Sequence, residues 1–242
     1  MSVTLGNNGR LCNQIIRNIA LHFIAEKHNL HTTYHNNESI SKLGINLYCG
    51  DNKYSKTGVV RNHAYYHVLN ADSIDYNVDL NHDYFQFQQA TDDIFKYIRS
   101  DPVRNNVIKM NPFNERYNAN NDVFIHLRLG DIATNNYHLG LEYYLKCLSQ
   151  IEFNDLYVAT DSADHEIIQG LKEKYPSMKM VIDDEIRTIQ FGSTCKYVIL
   201  SHGSFSAVIG YLSFFSEVYF YNKESRWCPI DLFLNKGWHE VL

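Results

Sequence analysis

The stretch Asp122–Asp131 reads DVFIHLRLGD, an apolar run that ends abruptly in an arginine, a glycine and an acid. An apolar run without alternation is the mark of a strand buried on both faces, so Asp122 to Leu127 reads as the inner strand of a parallel sheet. Working outward, Gly140 to Ile151 has helical spacing, and DLYVAT, Asp155 to Thr160, repeats the strand pattern. Next come a helix from Asp164 to Tyr175, capped by Asp161 or Ser162 and stopped by Pro176, and a strand at Lys179–Ile182. A helix at Glu185–Cys195, a strand at Tyr197–Ser201, a helix at Ser204–Phe215 and a strand at Glu217–Tyr221 complete the series. Strands separated by helices must be joined by right-handed crossovers, which cover both faces of a parallel sheet. This half is expected to be a Rossmann-like α/β domain.

The amino half opens with a short strand at Ser2–Leu5, the loop Gly6-Asn7-Asn8-Gly9, and a helix whose Leu11, Ile15, Ile19, Phe23 and Ile24 share one face. His31 to Tyr34 reads as a second strand, residues 36–62 as polar loop, and Asp83 to Arg99 as a helix. From Ser100 to Asn121 the chain turns polar and rich in Asn, with Pro102 and Pro112, and is the best linker candidate. The expected organisation is a small Rossmann-like domain over residues 1–112 and a second over 113–242, facing a shared cleft at the carboxyl ends of their strands.

With 22 basic against 27 acidic side chains the formal net charge is −5, so no global field favours nucleic acid or an anionic membrane. A phosphate-bearing ligand must be held by a few local groups. The five cysteines are scattered, with no C-x-x-C pair, and read as reduced, mostly buried thiols. The twelve histidines form no H-E-x-x-H or comparable metal motif and read mostly as surface residues. No run approaches the roughly eighteen apolar residues of a membrane span, and the first residues lack a secretory layout. The chain is expected to be soluble and cytoplasmic, without an integral membrane segment or a nucleic-acid partner.

Three strand ends and one glycine loop carry the candidate chemistry. Arg128 follows the central strand and offers a fixed fork of donors that matches a diphosphate, while Gly130 permits close backbone approach. Alone, Arg128 reads equally as a surface arginine paired with Asp131. The loop through Gly9 precedes a helix whose free N–H groups favour an anion, but it is neither G-x-G-x-x-G nor a phosphate-binding G-x-x-x-x-G-K-[ST] loop. Ser204-Phe205-Ser206 opens a helix and could meet phosphate oxygens or serve as plain N-capping. Asp161 with Ser162 reads either as an acceptor for a guanine edge or ribose hydroxyls, or as a helix cap.

Gly9-Arg10-Leu11-Cys12-Asn13-Gln14, His126-x-Arg128-x-Gly130-Asp131, His138 with Tyr143-Tyr144, Tyr157 to Asp161 and Ser204-Phe205-Ser206 occur in an order and spacing that resembles the α-1,2-fucosyltransferase family. The resemblance runs from Leu5 to about Phe220, and the His-x-Arg-x-Gly-Asp element is its most specific part. It implies a glycosyltransferase of the two-domain GT-B type, with GDP-fucose as donor, a glycan as acceptor, inversion at the anomeric carbon, an α-1,2 linkage and no metal or other cofactor. By position, Arg128 would neutralise the leaving diphosphate, and His126, Asp161 and Ser162 would hold the nucleotide. Ser204, Phe205 and Ser206 would contact phosphates, and Gly9, Arg10, Asn13 and Gln14 would close over the donor. Asp131 and His138 are the two candidates for general base. The sequence departs from the family at Leu129, usually a second arginine, at Cys12, usually glycine, at His202-Gly203, usually Asn-Ser, and at Ala207-Val208, usually paired tryptophans. Three alternatives stand beside this reading, in this order: transfer of another GDP-linked deoxyhexose, a catalytically silent nucleotide- or glycan-binding module, and an ordinary α/β scaffold protein with chance motif matches.

Overall fold

The computed structural model describes residues 1–4, 9–133 and 137–242, the side chains of Asp131 and Ala133 excepted. The chain divides into two compact units, Met1–Val103 and Arg104–Leu242. In the amino unit, β1 (Ser2–Val3), α1 (Leu11–His28), β2 (Thr32–Thr33), α2 (Asn37–Lys42), β3 (Thr57–Val59), α3 (Tyr65–Leu69), β4 (Asn77–Asp79) and α4 (Gln88–Ile98) follow one another. Its sheet has the order β2-β1-β4-β3 with every pair parallel. Helix α1 is buried on most of its surface, and Ala20, Leu21 and Ile24 pack with Val78, Tyr65 and Phe85 in the unit's core.

The stretch 36–62 is not simply loop, since it contains α2 and β3. No apolar periodicity announces them, because polar side chains do the holding. Asn77, 1% exposed, donates from Nδ2 to the carbonyls of Tyr54 and Lys56 (2.7 and 2.9 Å), and its Oδ1 accepts from the Tyr54 N–H at 3.1 Å. Strands this short are fixed by such tertiary bonds and not by local propensity.

The expected linker is likewise structured. Helix α5 (Asp101–Met110) spans the junction of the two units, and a 3₁₀ turn at Asn114–Arg116 follows. Asn111 donates to the Gln190 carbonyl at 2.9 Å, and Asn120 to the Thr194 carbonyl at 2.9 Å. Arg116 donates from Nη2 to Asp122 Oδ2 at 2.8 Å and from Nε to Thr194 Oγ1 at 3.3 Å, with its guanidinium 4.7 Å from the Phe191 ring centre. The Asn-rich composition therefore reflects backbone satisfaction, not looseness.

The carboxyl unit continues with β5 (Val123–Leu127), α6 (Gly130–Ala133), α7 (Leu141–Leu148), β6 (Leu156–Thr160), α8 (Glu166–Lys174), β7 (Lys179–Met180), α9 (Glu185–Gly192), β8 (Tyr197–Ile199), α10 (Ser204–Leu212), β9 (Glu217–Tyr221) and β10 (His239–Val241). Its six-stranded, all-parallel sheet has the order β10-β9-β8-β5-β6-β7. The winding runs outward from β5 through β6 to β7, returns to the other side of β5 at β8, and runs outward again through β9 to β10. That is the strand order of a doubly wound Rossmann sheet, and the reversal lies between β5 and β8.

Every residue of β5 is buried. Side chains alternate across a strand, so Val123, Ile125 and Leu127 enter the core shared with Tyr144, Ile168 and Leu171 of α7 and α8. Phe124 faces Phe191 of α9, at 6.3 Å between ring centres, and His126 meets Ser206 of α10. A Cβ on Gly192 would lie 2.6 Å from the Phe124 ring, so glycine is needed for α9 to approach β5 this closely. Among the described residues no helix is long and apolar enough to cross a membrane. Four of the twelve histidines, His22, His28, His126 and His202, are buried, and the other eight are partly or fully exposed.

If the 101–121 stretch is a structural brace, Arg116→Ala should lower unfolding stability by about 2 kcal/mol, the typical worth of a charge-assisted hydrogen bond with its packing. Urea denaturation checks this. Unchanged stability is what a linker would give.

Candidate active site

The reversal between β5 and β8 places the residues after Leu127 beside those after Ile199, at the carboxyl edge where open α/β sheets bind ligands. His126 is 8% exposed and its Nδ1 lies 2.6 Å from Ser206 Oγ and 3.2 Å from Ser201 Oγ. The two hydroxyls are 3.0 Å apart, and Ser201 Oγ also accepts the Arg128 N–H at 3.2 Å. Phe205 closes over the imidazole with ring centres 4.7 Å apart. This small buried network ties the end of β5 to the start of α10.

Burial pushes the His126 pKa down to about 4, opposed by Asp161 and reinforced by Arg128. The imidazole is therefore neutral near pH 7 and can take part in hydrogen bonds as both donor and acceptor. Ser206 is fully buried. Its hydroxyl positions His126, and the surface of the site at this turn is left to Ser204 and Phe205, both partly exposed.

Arg128, two residues beyond His126, has a side chain 16% exposed. Its Nε stands 3.8 Å from Asp161 Oδ2, and its guanidinium lies 5.7 Å from the Trp227 ring centre. Asp161 Oδ1 accepts the backbone N–H groups of both Leu129 and Gly130, at 2.7 and 2.8 Å. Asp161 is thus not the cap of α8, which is His165, accepting from the Ile167 N–H at 3.2 Å. It bends the chain after Arg128 into a shelf. A Cβ on Gly130 would come within 2.9 Å of Asp161 Oδ2, so the glycine is what lets the carboxylate approach. Ser162 sits one residue on, with its N–H bound to Thr160 Oγ1 at 3.1 Å.

The cap of α10 is Gly203, not Ser204, with φ of +109°, a conformation that favours glycine, and its N–H points to Cys228 Sγ at 3.1 Å. The first turn of α10 therefore opens toward the same edge as Arg128, with the positive end of the helix dipole. His138 lies apart from the His126 network, beside His165 with ring centres 5.0 Å apart. The Asp131 side chain lies outside the described residues.

The remaining candidates belong to the amino unit and form a group of their own. Gly6 to Asn8 lie outside the described residues. Gly9 has φ of +81°, and its carbonyl accepts from Gln14 Nε2 at 2.8 Å. Gln14 Oε1 also accepts from Asn36, and Asn13 Oδ1 accepts from Gln86 Nε2 at 2.7 Å. Arg10 occupies the N-cap position of α1 without a side-chain cap bond. Sequence reasoning missed Arg17, wholly buried on α1, whose Nη2 donates to the Thr4 carbonyl at 3.5 Å beyond β1. Burial lowers its pKa, opposed by Tyr84 and Asp79. The available signal was a charge set among Ile15, Ile16, Ile19 and Ala20 on one helix. Trp227 was also missed, and Ser201 and His202, at the turn before α10, carried no role of their own in the sequence reading.

No protein-family model matches this sequence, and no curated protein matches it.

The lowered pKa of His126 has a measurable consequence. An unfolded histidine takes its proton near pH 6.5 while the folded one resists to about 4, so the unfolded chain binds more protons in that window. Stability should be fully present above about 6.5 and fall as the pH drops toward 4, by about 3 kcal/mol from this group. His126→Asn should flatten that slope in urea denaturation across the window. Burial also lowers His22 and His202, so part of it should persist. An unchanged slope would mean that His126 titrates normally.

Proposed function

We propose that the carboxyl unit binds a nucleoside diphosphate sugar at the β5/β8 reversal, and that the protein is a glycosyltransferase which moves L-fucose from GDP-fucose to a hydroxyl of a glycan. The observation that carries this reading is the convergence of Arg128, the glycine-capped start of α10 and the neutral His126 network on one sheet edge. Arg128 supplies a planar fork for phosphate oxygens, and the N–H groups of α10 supply further donors. When the bond between sugar and diphosphate breaks, negative charge grows on the departing phosphate. A guanidinium held in place beforehand stabilises that charge more in the transition state than in the ground state. Metal is not needed for this step. Asp161 holds the shelf that carries Arg128, and its Oδ2 side is the part of the carboxylate available to a guanine edge or ribose. Asp131 and His138 remain the candidates to take the proton of the attacking hydroxyl, and inversion follows from a single displacement.

One observation favours the silent nucleotide-binding module as a second reading. Leu129 is wholly buried in the carboxyl core, so the shelf presents one guanidinium where the resembled family has two. A single cation suffices to bind a diphosphate and stabilises less developing charge.

Kinetics separate the two. Arg128→Ala should lower turnover of GDP-fucose, in transfer or hydrolysis, by about a hundredfold or more, and Arg128→Lys should restore little of it, because an ammonium cannot reproduce the fork. Both variants should stay folded by circular dichroism. Wild-type turnover in Arg128→Ala would end the catalytic reading. GDP binding with no turnover of any GDP-sugar in the native protein would leave the silent module.

A further inference from the structure

A pocket of about 540 Å³ opens beside this site, at the carboxyl ends of β8, β9 and β10, where His202 follows β8 and Tyr221 ends β9. His202 lines it and is 6% exposed. Neither ring nitrogen of His202 has a hydrogen-bond partner among the described residues, and both are shut off from solvent. Aromatic rings surround it, with centres at 5.9 Å for Tyr221, 6.3 Å for Trp227 and 6.3 Å for Phe233. The backbone of Tyr221 opposes the burial-driven lowering of its pKa without meeting either nitrogen in hydrogen-bonding geometry. Buried polar groups without partners destabilise the fold, and each one kept in a native protein calls for a cause, of which a water, an ion or a ligand that completes it is one.

The walls narrow the choice of ligand. Glu142 and Glu224 stand among Lys146, Lys223 and Arg226, so the pocket carries charge of both signs, and Tyr137 and Tyr221 add flat apolar surface. Mixed charged groups beside aromatic faces suit a neutral ring that carries both hydroxyls and C–H faces. A neutral imidazole is one donor and one acceptor, and a hydroxyl answers either. Continuity places that ring. His202 lies in the chain between Ser201, which accepts the Arg128 N–H, and Gly203, which opens α10.

We propose that this pocket receives a hydroxyl-bearing ring attached to the diphosphate held at Arg128, and that His202 turns to hydrogen-bond one of its hydroxyls. The inference rests on the diphosphate reading given under Proposed function. Ribose and hexose share the required chemistry, and the test separates them.

His202→Phe keeps an aromatic ring and removes both nitrogens. It should raise the melting temperature, because two unpaired buried atoms are replaced by apolar ones. It should also weaken the ligand that uses His202 by about tenfold, the loss of one hydrogen bond. Calorimetry with GDP and GDP-fucose names the ring: loss for GDP-fucose alone marks the hexose, and equal loss for both marks the ribose. In the native protein, the side-chain nitrogen resonances of His202 should move with the same ligand, a readout that does not depend on the variant folding. GDP binding that needs Arg128, with unchanged affinities in His202→Phe and unmoved His202 resonances, would overturn this inference and leave the diphosphate site intact. If GDP does not bind the native protein, the diphosphate reading fails, and this inference falls with it.

Discussion

The structure depends on the fact that parallel strands cannot be joined by tight hairpins. Each strand of the carboxyl unit must return through a crossover, so all six end on the same edge, and the helices fill both faces. Where the winding reverses, between β5 and β8, no crossover covers the edge, and the chain leaving each strand is free to carry polar groups. His126, Arg128 and Ser201 occupy that position because β5 and β8 are paired in register, with Ile125 opposite Ile199. The burial of Val123, Ile125 and Leu127 on one face and Phe124 on the other fixes β5 firmly. The site is therefore held by the core itself.

Electrostatics at this edge follow from burial more than from net charge. The protein is formally anionic, yet the edge presents a guanidinium, the start of a helix and an imidazole that stays neutral because water is excluded from it. Asp161 is the one close carboxylate described there, and its Oδ1 is engaged by two backbone N–H groups. Much of its capacity to accept is spent on shape.

The carboxyl fold was legible because its strands are continuous apolar runs and its helices amphipathic, and β9 matches the expected Glu217–Tyr221. β10, His239–Val241, was not legible, since three residues with two polar ones show no period. In the amino unit, β3 and β4 went unread for the same reason, and their short segments rely on Asn77 and on Ser2, whose hydroxyl accepts the Val78 N–H at 3.0 Å. Arg128 and Ser204 to Ser206 could be read from strand and helix ends. The role of Asp161 as the strut of the Arg128 shelf could not, because its partners lie about thirty residues away and are backbone groups without a sequence signature. His202 stood out only as a departure from the resembled family's asparagine, and its burial without hydrogen-bond partners among the described residues was not legible.

The central claim is that the β5/β8 edge holds a diphosphate through a guanidinium and backbone donors. Phosphorus NMR of GDP, titrated with the full chain in the presence of a chelator, tests it most directly. The account predicts that both phosphate resonances shift in a saturable manner and that Arg128→Ala abolishes the shift. Resonances that do not move, or that move equally with the Arg128→Ala variant, would contradict it.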